Sequence, residues 1–158
     1  MGLLNTQSDK PLEGDFVCLV VSSTYKASKA GNLMFHVSLM VERELVDGEY
    51  LDTPSEGQSI KWWGAFTKKG QEWTVPFLIA LGHEYDEDDD GNRDMPFTAY
   101  IEGNPAATIH DIAPTLAAEM KNQHIGVQLY TDKRDPDDLQ QGVGKGFFQV
   151  PDDAVVTF

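Results

Sequence analysis

The residues best suited to chemistry in this chain come early. Tyr25, Lys26, Lys29, Met34 and His36 lie within YKASKAGNLMFHVSLMV, where two lysines and a Gly-Asn turn run into a strand of strict apolar alternation. The window from Phe16 to Val41 holds those two lysines and no acidic residue, in a chain of 158 residues with a formal charge of -14. Ammonium groups at a hairpin turn follow phosphates, and rings beside them stack on bases, so the expected chemistry is capture of a polyanion. Two further acid-free runs repeat the pattern: Gly57 to Gln71 carries Lys61, Trp62, Trp63, Lys68 and Lys69, and Leu139 to Pro151 carries Lys145, Phe147 and Phe148.

Neighbours in a strand face opposite ways, which sorts the paired aromatics. Trp62 shares a face with Ile60 and Phe66 and is expected in the core; Trp63 falls with Lys61 and Ala65 and is expected outside as a stacking surface. One of Phe147 and Phe148 should be core by the same rule, and Tyr130, on the face of Gln128, should reach solvent.

Catalytic constellations are missing. His36, His83, His110 and His124 have no H-E-x-x-H spacing, Ser22 and Ser23 no G-x-S-x-G elbow, and Gly142 to Gly146 no phosphate-loop spacing. Asp86, Asp88, Asp90 and Gly91 match the start of a calcium loop, but Phe97 stands where its bidentate Glu belongs. The reading is of a binding protein and not an enzyme, with no metal and no cofactor. Cys18, the single cysteine, alternates with Phe16 and Val20 as a buried apolar residue and permits no internal disulfide. No apolar run approaches the roughly 18 to 20 residues of a membrane span, and the amino terminus lacks a secretory pattern, so a cytoplasmic protein is expected.

These residues need a scaffold. An apolar content of 41% in 158 residues suits one domain, placed at residues 14–151 between an arm at 1–13 and a short carboxyl segment at 152–158. Strands are expected over Asp15–Ser23, apolar on both faces and so central, and over Leu33–Glu42 and Gln58–Thr67. A helix over residues 71–81 ends at Gly82, a short strand covers Phe97–Glu102, and a second helix covers His110–Lys121. Strands over Gln123–Thr131 and Gly146–Val150, joined by a long polar loop, close the domain. Negative charge collects at Glu42–Glu56, Glu84–Asp94 and Asp132–Asp138, in segments that read as loops. Three strands, a helical region and two strands is the order of a mainly β, five-stranded OB-fold-like Greek-key barrel, here with an acidic insertion, residues 83–109, between the third and fourth long strands.

The segment GDFVCLVVSSTYKASKAGNLMFHVSLMV, the acidic turn Asp47-Gly48-Glu49-Tyr50, the helix end Ala80-Leu81-Gly82 and the late strand IGVQLYTDKRD resemble phage-encoded single-stranded-DNA-binding proteins of the OB-fold type, over Pro11 to Val150. The resemblance implies DNA replication or recombination as the setting and single-stranded DNA as the ligand, bound without sequence specificity. It implies that Lys26, Lys29, Met34 and His36 on the first hairpin, and Lys133, Arg134 and Lys145 in the last loop, flank the groove, with Tyr25, Lys61, Trp63 and Tyr130 beside them. Such proteins often end in an acidic tail closed by an aromatic residue that recruits replication partners; Asp152, Asp153 and Phe158 form a short version, with a packed last strand as the alternative. Two other functions fit the composition: an acidic interaction protein whose DNA-like surface binds and inhibits a basic partner, and a virion structural β-domain.

Overall fold

The computed structural model describes residues 11–27 and 29–151. Strands β1 (Gly14–Ala27) and β2 (Leu33–Val46) form a long antiparallel hairpin. In β2 the alternation read from the sequence is realised: Leu33, Phe35, Val37, Leu39 and Val41 are buried, while Met34, His36, Ser38 and Met40 lie half-buried on the other face. β1 has β2 on one side and β7 (His124–Asp132) on the other, which accounts for its two apolar faces.

Two irregularities bend this hairpin. One leaves Glu42 of β2 unpaired between Val17–Arg43 and Cys18–Val41, and the other leaves Val21 of β1 unpaired and 44% exposed. A bulge raises local twist; Val17 and Cys18 are both buried although they are neighbours, Cys18 with Phe16 and Val20 in the main core cluster and Val17 outside it.

Two strands, β3 (Glu49–Leu51) and β4 (Ser59–Ala65), pair with successive parts of β2, and β8 (Gln140–Val143) pairs with β7. The order β4-β2-β1-β7-β8, antiparallel throughout, makes a curled five-strand half-barrel. Its open seam lies between β4 and β8.

Helix α1 (Gln71–Ala80) closes one end. Phe77 stacks on Trp62, with ring centroids 4.2 Å apart, and Phe147 meets both rings edge-on at 5.2 Å. The buried Thr74 hydroxyl donates to the Ala65 carbonyl at 2.7 Å, tying the helix to the end of β4.

The tiny hairpin β5 (Asp86–Glu87) and β6 (Arg93–Asp94) and the single turn α2 (Thr98–Ile101) lead to α3 (Ile109–Met120). A reciprocal capping box between Thr108 and Asp111 starts α3, whose Ile112, Ala113, Leu116, Ala117 and Met120 enter the core at helical spacing.

Three sequence expectations are corrected. The strand expected over 97–102 is the helical turn α2, because Phe97, Tyr100 and Ile101 pack on the core at i, i+3, i+4 and not in alternation. The connection after β2 carries the short strand β3. The last strand is β8 at 140–143, in a stretch read as loop, while 146–150 contributes one bridge, Gly126 to Phe148. The glycines explain the shift: the Gln128 side chain crosses Gly144 and Gly146, where a Cβ would stand 2.6 Å and 2.9 Å from its Oε1, and interrupts regular pairing. Just before β1, Leu12 exchanges two hydrogen bonds with the Gln141 amide, at 2.6 and 3.0 Å.

Candidate nucleic-acid interface

Cross-strand register places side chains in rows on the outer face of β1, β2 and β4. Ser22, Ser38 and Lys61 form one row, Thr24, His36 and Trp63 the next, and Lys26, Met34 and Ala65 the third. Five of the sequence candidates, Lys26, Met34, His36, Lys61 and Trp63, therefore share one surface. Lys29 sits exposed in the turn beyond it. Tyr25 does not join them: it pairs with the buried Phe35 and so lies on the opposite face of the ribbon from Lys26.

Trp63 is 62% exposed, while its neighbour Trp62 is 6% exposed at the base of the core. His36 lies flat under the Trp63 indole, centroids 4.5 Å apart and planes 13° from parallel. Desolvation, and then the nearby Lys26 ammonium, push the His36 imidazole below its usual pKa, so near neutral pH the stacking partner is an uncharged ring.

Trp63 also stands at the rim of the open seam. Here a cleft of about 560 Å³ is lined by Lys61, Trp62 and Trp63 from β4, Tyr130, Asp132, Lys133 and Arg134 from the end of β7, and Gln141 and Val143 from β8. The chain separates Lys61 from Lys133 by some 70 residues; curling of the sheet brings them to one cavity. Tyr130 is 47% exposed, its ring laid over Gly142, where any Cβ would collide with it. Arg134 donates from Nε and one terminal nitrogen to both oxygens of Asp132, at 2.6 to 3.0 Å. Those bonds hold the Asp132 carboxyl below its usual range and raise the guanidinium further. Lys61 and Lys133 enter no ion pair among the described residues.

Sequence reasoning passed over Trp73, which lines the same cleft from the first turn of α1. Its signal was an aromatic in an otherwise polar opening turn, KKGQEW. The Lys145 ammonium sits 4.6 Å above the Trp73 ring and 3.5 Å from Glu72, so Lys145 flanks the cleft through Trp73 instead of lining it. Asp152, Asp153 and Phe158 lie outside the described residues.

Elsewhere, no cluster of His, Cys, Asp and Glu able to hold a metal ion occurs among the described residues. The Asp88 carboxylate instead accepts the backbone N–H groups of Asp90 and Asn92, at 2.9 and 2.8 Å, and closes the β5–β6 turn. Burial, with a smaller contribution from Glu42, pushes the Cys18 thiol up to about 12, which keeps it protonated and inert. No described helix is long and apolar enough to cross a membrane. The sequence matches no protein-family model and no curated protein.

Proposed function

We propose that this protein binds single-stranded DNA without base specificity, as an OB-fold-type strand-binding protein. The observation that carries the reading is the cleft itself: in a chain of net charge -14, three cations meet one carboxylate there, and Trp63, Trp73 and Tyr130 supply stacking surfaces. Base stacking on such rings is worth roughly 1 to 3 kcal/mol each and tolerates any base, while lysines track phosphates. The half-barrel order of strands is compatible with an OB-like fold, whose binding face is the outer side of its second and third strands. In this chain that face carries His36, Lys61 and Trp63. A role in phage DNA replication or recombination rests on the sequence resemblance alone.

Titration of tryptophan fluorescence with oligothymidylate tests the reading, because Trp63 and Trp73 both line the cleft. Saturable quenching by the single strand is expected, weaker with duplex and falling with salt as counterions are released. Lys61→Glu with Lys133→Glu should weaken binding at least tenfold with the fold intact. A flat response at low salt would reject strand binding and turn attention to a basic protein partner for the acidic loops.

A further inference from the structure

A second groove, of about 500 Å³, runs between α1 and the β5–β6 hairpin. Lys68, Arg93 and Lys145 line it against a single carboxylate, Glu72. Together the two grooves are lined, among the described residues, by six basic side chains and two acidic ones. The whole chain has 12 basic and 26 acidic residues. A ratio of three to one in the grooves, against less than one to two overall, is a segregation of charge that a uniformly solvated surface would not produce.

The grooves adjoin. Trp73 lines the first, Lys145 lines the second, and the Lys145 ammonium rests on the Trp73 ring at 4.6 Å. Their linings differ in kind, however. The described residues of the second groove include Gln71, Val75, Pro76 and Asn92 but no Phe, Tyr or Trp, so nothing there offers a stacking surface. Its cations could hold phosphates and its amides could bond to them, while bases would remain unread.

We propose that the groove between α1 and the β5–β6 hairpin is a second nucleic-acid subsite, one that holds the phosphate backbone of a strand leaving the aromatic cleft past Trp73. The inference rests on the strand-binding reading and extends it. A strand filling both grooves meets more cations without new stacking, so its extra affinity is electrostatic and appears in the salt slope.

The test compares oligothymidylates of about 5 and about 15 nucleotides, spanning the range one such domain covers. Affinity is measured against salt for the unmodified protein and for Lys68→Ala combined with Arg93→Gln. On the longer strand the variant's slope should fall by about 0.7 for each phosphate that no longer meets a cation. On the shorter strand the two proteins should match. The single variant Lys68→Ala provides the same comparison should removal of the Arg93–Glu87 pair disturb the small hairpin. Equal slopes on the longer strand would overturn the second subsite while leaving the cleft in place, as would an equal weakening on both lengths. Binding of neither oligonucleotide would overturn the strand-binding reading and the subsite with it.

Discussion

Trp62 and Trp63 are adjacent in the chain and separated in role by the pleat of β4. Trp62 is locked between Phe77 and Phe147, so Trp62→Ala should cost about 3 to 5 kcal/mol of stability. Trp63 is exposed and touches chiefly His36, so Trp63→Ala should leave the urea midpoint nearly unchanged. It should instead weaken oligothymidylate binding by roughly 1 to 3 kcal/mol, some 5- to 150-fold. Paired urea and fluorescence titrations of the two variants separate the roles, and the opposite outcome would exchange platform and core. This pairing was legible in the sequence because alternation needs only chain neighbours. Trp73 was not, because a helix residue's environment depends on where the helix docks.

Among the elements, β7 and the chain that follows it are fitted by glycines. A Cβ on Gly126 would run into the Phe148 ring at the bridge between these segments. Gly126→Ala should therefore cost about 1 to 3 kcal/mol, read as a lowered urea midpoint. α2 is held differently, through an aromatic knot in which His83 lies 6.0 Å from Phe97 and 5.8 Å from Tyr100. Burial lowers the His83 pKa despite the opposing charge of Glu119. Below its ordinary 6.5 the unfolded chain therefore binds a proton that the folded one resists, and stability falls as pH drops through that value toward the folded pKa. The melting temperature should decline from about pH 7 to about pH 5.5, and His83→Phe should shrink that decline. An unaltered profile in the variant would place the sensitivity elsewhere. Local sequence reading, guided by end signals such as Gly82 and Asp111, located α1 and α3 to within a residue or two. It misassigned 97–102 and 146–150, where segments of five or six residues carry too few apolar positions to distinguish period 2 from period 3.6.

For the whole molecule, a charge of -14 and a basic-lined pair of grooves pull in opposite directions as salt is varied. Added salt screens the repulsion among the acidic loops and should raise the melting temperature between about 20 and 200 mM, since the Debye length shrinks to below about 10 Å. Over the same range oligothymidylate affinity should fall. A melting temperature that fell alongside it would mean that ion pairs, not repulsion, dominate the surface. The sequence by itself determined the β character, the central place of β1, the inner and outer faces of β2 and β4, and the absence of acid from Phe16 to Val41, because each follows from the order of near neighbours. Only the tertiary structure decided that Lys26, and not Tyr25, shares a face with His36 and Trp63, because the cross-strand register sets Lys26 opposite Met34 and Tyr25 opposite the buried Phe35. The fold alone also joined Lys61 and Trp63 to Tyr130, Lys133 and Arg134, and added Trp73 to them. That grouping depends on how far the sheet curls before β4 meets β8, a sum of twists and bulges over many residues that no local pattern records.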